Sequence, residues 1–132
     1  EDIKLVNDAK LNIEFTSLLS EDINIVYIWI DWCEACKQKQ EATNNVFSVL
    51  NKIDGVNSFS IEVDNSKGDK FPTSSIINLP GYAEYPVLED SYILPYYQIF
   101  STPAYLIVDK HGKLMYKTNN PIRLKEAVFS NL

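Results

Sequence analysis

Residues 28–37 read IWIDWCEACK, and this stretch decides the fold of the chain. It closes an almost continuously apolar run, residues 23–30, whose β-branched and aromatic side chains are typical of a strand buried on both faces. The polar residues that follow the run predict the start of a helix. Cys33 and Cys36 are therefore expected where a central strand joins a helix, in the first helical turn.

The pattern on both sides of this stretch predicts further elements. Apolar residues at helical spacing indicate a helix over 34–54, and alternation over 58–63 indicates a second strand. Strand, helix and strand in this order imply a parallel pair joined by a right-handed crossover. Towards the N-terminus, residues 3–6 and 11–13 predict a short hairpin, and 15–19 a helical turn.

The C-terminal third carries clear local signals. Residues 104–108 and 114–117 predict an antiparallel hairpin, and Gly112 in its turn is suited to positive φ. Asn120 as N-cap and Pro121 at the first helical position predict a final helix.

The middle of the chain has a poor pattern. Four prolines interrupt residues 64–97, where we expect loops with short helices at 74–79 and 92–99. The order of elements predicts one α/β domain over 1–132, with a central mixed sheet flanked by helices, an N-terminal β-hairpin and an insertion in the middle.

Charge and hydropathy exclude two classes of partner or location. The chain of 132 residues has a net charge of −6, and its Lys and Arg are scattered, which argues against a nucleic-acid partner. No apolar run approaches the ~20 residues of a membrane span. Residues 1–4 lack the basic and apolar regions of a signal peptide. We expect either a cytoplasmic protein or a domain that follows a removed signal or an upstream anchor.

Two cysteines three positions apart allow few explanations. The loop between them is too short for a structural staple to remove much unfolded-state entropy. Haem attachment requires His at position 37, which is Lys. Zinc needs about four ligands. A Cys-Cys-His copper carrier using His111 stays open as an alternative, although a solvated turn residue is the simpler interpretation of His111.

Position predicts the chemistry of the pair. A cysteine at a helix N-terminus faces unpaired N–H groups and the positive end of the helix dipole, and both favour the thiolate. Cys33 is therefore predicted to be the nucleophile and the more exposed cysteine. Its attack on a substrate disulfide would give a mixed disulfide that Cys36 resolves. This exchange needs no bound cofactor.

Two segments resemble a known family. Residues 28–37 resemble the active-site segment of the thioredoxin superfamily, and residues 101–113, STPAYLIVDKHGK, resemble its cis-proline segment and following hairpin. The chain is most similar to the TlpA/ResA-like branch of extracytoplasmic thiol–disulfide oxidoreductases. The N-terminal hairpin, the insertion within 63–95, the segment 85–88 and Glu34 after the first cysteine carry this similarity.

The resemblance implies a thioredoxin-like fold and roles for particular residues. Cys33 attacks, Cys36 resolves, Pro103 is cis beside the disulfide, and the backbone of Thr102 pairs with the substrate like an added strand. Trp32 is expected to cover the active-site surface. The implied substrate is a protein disulfide and the implied electron donor a membrane thiol protein. The implied location is extracytoplasmic, in the periplasm or on the outer face of the membrane, with the cytoplasm as the alternative.

Several positions depart from the thioredoxin pattern. Tyr27 stands where cytosolic thioredoxins have a buried acid, and Ala35 where many relatives have Pro. Glu34 is therefore a candidate for assisting proton transfer.

Charges beside the nucleophile predict the direction of electron flow. Asp31 and Glu34 should raise the pKa of the Cys33 thiol, whereas Lys37 acts in the opposite direction. A less stabilised thiolate makes a more reducing couple, so we expect a reductase. The alternative to an enzyme is a redox-silent binding module with the same fold. Tyrosines of the middle segment are either a recognition surface or packing of the insertion: Tyr82, Tyr85, Tyr92, Tyr96 and Tyr97.

Overall fold

The structure is a computed structural model, and it describes residues 3–6, 11–30, 33–63, 79–83 and 93–132. The strands are β1 Lys4–Val6, β2 Asn12–Glu14, β3 Ile23–Trp29, β4 Val56–Glu62, β5 Gly81–Ala83, β6 Ala104–Val108 and β7 Leu114–Thr118. The helices are a 3-10 helix Phe15–Leu18, α1 Glu34–Gln38, α2 Gln40–Leu50, α3 Ile93–Tyr96 and α4 Pro121–Ser130. The described strands form one mixed sheet in the order β2-β1-β5-β4-β3-β6-β7.

The predicted central strand is confirmed. All seven residues of β3 are buried, and the strand pairs with β4 in parallel and with β6 antiparallel. It can lie there because it is apolar on both faces apart from Asn24, whose side chain bonds the carbonyls of Glu21 and Val108. The chain leaves the carboxyl end of β3 and reaches Cys33 at the start of α1, the first helix of the crossover to β4.

Alternate residues of β3 divide the core into two layers. Val26 and Ile28 face a cluster that includes Phe15 and Phe59 from the N-terminal part and β4. Tyr27 and Trp29 face the other cluster, which contains residues of α2 and α4 and both cysteines. Trp29 is thus a core residue, 4% exposed, as expected from the sequence.

Three features of the helices and strands differ from the sequence predictions. The predicted helix over 34–54 is interrupted at Lys39, whose N–H is shared between the carbonyls of Ala35 and Lys37. The strand predicted over 58–63 begins earlier, at Val56, and the helix predicted over 92–99 is shorter as α3. The helix predicted at 74–79 lies almost entirely outside the described residues.

Strand β5 has no counterpart among the predictions. Its three residues pair with β4 in parallel, and Ala83 also pairs with Val6 of β1 in antiparallel orientation. The strand thus joins the N-terminal hairpin to the rest of the sheet. Hydrogen bonds to neighbours on both sides stabilise such a short strand, and a sequence window cannot register them.

The C-terminal predictions are confirmed. Gly112 has φ +84° in the turn between β6 and β7, where the Asp109 carboxylate accepts hydrogen bonds from the N–H groups of His111 and Lys113. These bonds hold the pKa of Asp109 below its usual range. The Asn120 side chain caps α4 by accepting from the N–H of Ile122. No helix among the described residues has the length and apolar character to span a bilayer.

Candidate active site

The two cysteines form a disulfide at the start of α1. Cys33 is the N-cap residue, with extended backbone, and its Sγ accepts a hydrogen bond of 3.0 Å from the N–H of Cys36. The two Cα atoms lie 5.2 Å apart. Cys33 is 7% exposed and Cys36 4%. Both residues are buried, so the expected difference in exposure is present but small.

The segment around Pro103 lies against the disulfide. The Thr102–Pro103 peptide bond is cis, the conformation that the resemblance to the thioredoxin superfamily implied. The Thr102 hydroxyl donates a hydrogen bond of 3.2 Å to the Sγ of Cys33, and the Thr102 carbonyl oxygen lies 3.5 Å from the same sulfur. Pro103 is buried. The fold thus brings together residues 69 positions apart in the chain.

Of the charged and aromatic residues predicted near the site, two are described. Glu34 is exposed in the first turn of α1, and Lys37 is exposed in its last turn. Both lie on the short helix that begins at Cys33. Asp31 and Trp32 lie outside the described residues.

Three polar side chains near the site were not singled out from the sequence. Asn119 donates hydrogen bonds through Nδ2 to the carbonyls of Ser101 and Pro103, and Lys39 donates through Nζ to the Asn119 carbonyl. Lys117 donates to the carbonyls of residues 97 and 98. For Asn119, the signal available in the sequence was a polar residue at a strand end, which also suits a helix cap or a solvated edge.

No family model and no curated protein matches the sequence. Among solved structures, the thioredoxin domain of a thiol-disulfide oxidoreductase from Bacteroides vulgatus superposes with a TM-score of 0.74 and 15% identity, over 98% of this chain and 92% of that one.

The chain has the thioredoxin fold.

Two further structures agree with this fold. A secreted disulfide oxidoreductase of Mycobacterium tuberculosis, homologous to Escherichia coli DsbE, gives a TM-score of 0.68 and 16% identity over 98% of this chain and 96% of that one. The exposed lipoprotein thioredoxin of Streptococcus pneumoniae gives a TM-score of 0.67 and 17% identity over 99% of this chain and 97% of that one. The α/β fold class predicted from the sequence is confirmed.

Two stacked tyrosines lie in the buried cluster that contains both cysteines. Tyr27 is fully buried and stacks on Tyr105 with ring centroids 5.3 Å apart. The Tyr105 hydroxyl is hydrogen-bonded to the Thr43 hydroxyl, whereas that of Tyr27 has no partner among the described residues. Burial raises the pKa of Tyr27, and nearby Tyr105 raises it further. Burial also raises the pKa of Tyr105, to about 12, against the lowering effect of Thr43. Both phenols are therefore neutral at physiological pH.

His111 and the cysteines are not brought together by the thioredoxin fold. Thr102 and Pro103, next to the disulfide, precede β6, whereas His111 follows this strand. Five strand residues span about 16 Å. His111 is exposed on the turn, the position of a solvated residue. The described residues include no group of three His, Cys, Asp or Glu that could hold a metal ion.

Two tyrosines of the middle segment pack against the sheet. Tyr82 contacts Phe59 edge-on, with ring centroids 5.8 Å apart, and buried Tyr97 contacts Phe15 at 6.0 Å. Tyr96 is 60% exposed. Tyr85 and Tyr92 lie outside the described residues. Packing is thus the role of Tyr82 and Tyr97.

Proposed function

We propose that this protein is a thiol–disulfide oxidoreductase that acts on protein disulfides. One observation carries the proposal: a disulfide at the N-cap of α1 whose Cys33 sulfur contacts Thr102, next to a cis proline. A nucleophilic sulfur beside backbone that can receive a substrate strand is the arrangement that thiol–disulfide exchange needs.

The reaction begins from the dithiol. The Cys33 thiolate attacks one sulfur of the substrate disulfide, the substrate S–S bond breaks, and the departing substrate sulfur takes up a proton. The Cys36 thiol then loses its proton and attacks the Cys33 sulfur, which breaks the mixed disulfide and releases the second substrate thiol. Two electrons pass to the substrate, and Cys33 and Cys36 are left as the disulfide.

Hydrogen bonds to Cys33 support its role as the attacking sulfur. The N–H of Cys36 and the hydroxyl of Thr102 both point their donors at the Cys33 Sγ, and donors favour a thiolate over a thiol. Cys36, one turn into the helix, would resolve. We assign substrate binding to the Thr102 backbone, Pro103 and Trp32.

The proposed direction is reduction of the substrate. Asp31 and Glu34, which are close to Cys33 in the sequence, carry two negative charges against the single positive charge of Lys37. This balance favours a more reducing couple, against the effect of the two hydrogen-bond donors to the Cys33 sulfur. Glu34 is exposed beside the disulfide and is the proposed proton-transfer group.

The proposed location is extracytoplasmic, in the periplasm or on the outer face of the membrane. Two of the similar structures belong to proteins described as secreted and as an exposed lipoprotein. A protein in such a compartment would receive its electrons from a membrane thiol donor. The two electrons that reduce the substrate come from the thiols of Cys33 and Cys36, so the reaction itself needs no bound cofactor.

The reduction potential of the Cys33–Cys36 pair tests the proposal. Trp29 shares its buried cluster with both cysteines, so its fluorescence should report their oxidation state in dithiothreitol or glutathione buffers. We expect a reversible two-electron transition near the potential of thioredoxin, about −270 mV, and none in Cys33→Ser. A potential near about −120 mV would make the protein an oxidant. No reversible transition would reject the enzyme in favour of a binding module.

A further inference from the structure

Asn119 bridges the end of β7 and the segment that contacts Cys33. It directly follows β7 and precedes the N-cap of α4. Its Nδ2 donates to the carbonyl of Pro103 at 2.7 Å and to that of Ser101 at 3.3 Å. These two carbonyls flank Thr102, so one carboxamide holds the backbone on both sides of the residue that touches the Cys33 sulfur.

Lys39 fixes the backbone of Asn119 from the other side. Its Nζ donates a 3.0 Å hydrogen bond to the Asn119 carbonyl. Lys39 lies in the break between α1 and α2, three residues beyond Cys36. Asn119 is therefore tied through its carbonyl to the cysteine-bearing helices and through its side chain to the Thr102 segment.

Few other polar contacts hold this segment among the described residues. Residues 100–103 lie outside helices and strands, and no backbone–backbone hydrogen bond to them is found among the described residues outside the regular elements. Phe100 is 92% exposed. The buried Pro103 leads into β6, and Lys117 Nζ lies 5.8 Å from the centroid of the Phe100 ring. Among the described residues, the hydrogen bonds from Asn119 are the ones made to the carbonyls on either side of Thr102, whose hydroxyl lies 3.2 Å from the sulfur.

We infer that Asn119 is the positioning residue that holds Thr102 against Cys33, with Lys39 anchoring the Asn119 backbone. Asn119 acts through Thr102, since its own hydrogen bonds go to the carbonyls of Ser101 and Pro103. That this positioning promotes thiol–disulfide exchange rests on the proposed function. The effect of Asn119 on the Cys33 thiolate can be measured in the absence of any protein substrate.

Alkylation of Cys33 by iodoacetamide as a function of pH tests the inference. A Cys36→Ser background leaves Cys33 as the single thiol. Asn119→Ala should displace the Thr102 hydroxyl, raise the midpoint of the alkylation profile by about one pH unit and slow alkylation at neutral pH by up to about tenfold. Asn131→Ala is the matched control, because it removes an exposed asparagine that donates to a backbone carbonyl at the end of α4. It should leave the profile unchanged.

A second variant separates positioning from a general structural effect. Thr102→Val removes the hydroxyl and keeps the loop, and we expect it to shift the midpoint in the same direction. In the Thr102→Val background, Asn119→Ala should then produce little further shift, because the hydrogen bond through which it acts is already gone. An unchanged midpoint in Asn119→Ala, or an equal shift with and without the Thr102 hydroxyl, would overturn the inference. If Asn119→Ala does not fold, Asn119→Ser, whose hydroxyl can donate to one carbonyl only, should give a smaller shift of the same sign.

The two proposals fail in different ways. If the wild-type protein reduces no protein disulfide while Asn119→Ala shifts the Cys33 profile, the proposed function is wrong and the positioning role stands. If the wild type is active and the variant alkylates and exchanges like wild type, the positioning role is wrong. With both correct, Asn119→Ala should slow exchange with a disulfide-bonded peptide by up to about tenfold, because a midpoint raised by about one pH unit leaves about one tenth of the Cys33 thiolate at neutral pH.

Discussion

At the scale of single residues, Tyr27 fills a buried position with an aromatic ring, where the resemblance to the thioredoxin superfamily implied that cytosolic members have an acid. Its ring packs on Tyr105 and on Phe47, while its hydroxyl has no hydrogen-bond partner among the described residues. An unsatisfied buried hydroxyl costs about 1–3 kcal/mol of desolvation. The ring therefore contributes stability from which the hydroxyl subtracts.

Tyr27→Phe should raise the free energy of unfolding by about 1 kcal/mol at neutral pH, because it keeps the ring and removes the unsatisfied hydroxyl. Tyr105→Phe is the matched control and should lower it, since the Tyr105 hydroxyl is bonded to Thr43. Urea denaturation of the oxidised proteins measures both. Equal destabilisation by the two variants would mean that the Tyr27 hydroxyl has a partner.

Tyr27→Phe should also reduce the loss of stability that occurs as the pH rises into the alkaline range. In the unfolded chain a tyrosine ionises near pH 10.0, whereas the folded chain keeps the Tyr105 proton up to about pH 12 and holds that of Tyr27 as well. Between these values the unfolded state binds fewer protons, so stability is complete below about pH 10 and falls as pH rises. Denaturation from about pH 8 to about pH 11 should show a shallower fall in Tyr27→Phe.

At the scale of elements, α4 depends on its cap. The Asn120 side chain accepts hydrogen bonds from the N–H groups of Ile122 and Arg123, and Pro121 occupies the first helical turn. Leu124 and Val128 then pack in the cluster that also contains the cysteines. Local signals at the start of this helix thus stabilise one wall of the active-site core.

Asn120→Ala should lower the free energy of unfolding by about 1 kcal/mol, the usual cost of losing a side-chain N-cap. Asn120→Ser retains a capping oxygen and should recover most of the loss. Urea denaturation compares the two variants with wild type. If Ala and Ser at this position behave alike, the cap does not limit the stability of α4.

At the scale of the whole molecule, the redox state of one bond is linked to folding. A couple that is reducing in the folded protein has its disulfide favoured by the fold, whereas a strong oxidant has a stabilised reduced form. By this linkage a difference of 30 mV corresponds to about 1.4 kcal/mol. A reducing couple therefore implies that the oxidised protein is more stable to unfolding than the reduced protein.

The oxidised protein should be more resistant to urea than the dithiothreitol-reduced protein, because the proposed reductase favours the disulfide in its folded state. Urea unfolding of both forms, followed by circular dichroism, checks this. Reduced and oxidised Cys33→Ser, which cannot form the bond, should unfold alike. A reduced wild type that is the more stable form would indicate an oxidant.

Much of the architecture was readable from local patterns. The apolar run of β3 predicted a central strand, Gly112 a turn with positive φ, and Asn120 with Pro121 a capped helix. Each of these signals determines the conformation of residues that are close to it in the sequence. The position of Cys33 at a helix N-terminus was predicted in the same way.

Tertiary structure alone decided the rest. The strand β5 exists because β4 and β1 pair with it on either side, and Lys39 ends α1 where its side chain reaches Asn119. The resemblance had implied that Pro103 lies beside the disulfide, but no local pattern predicted the hydrogen bond of the Thr102 hydroxyl to Cys33, which joins residues 69 positions apart. The sequence by itself determined the elements and the reactive pair, because hydrophobic periodicity, caps and turns are local. The surroundings of that pair depended on hydrogen bonds between distant segments, and these form only once the sheet has assembled.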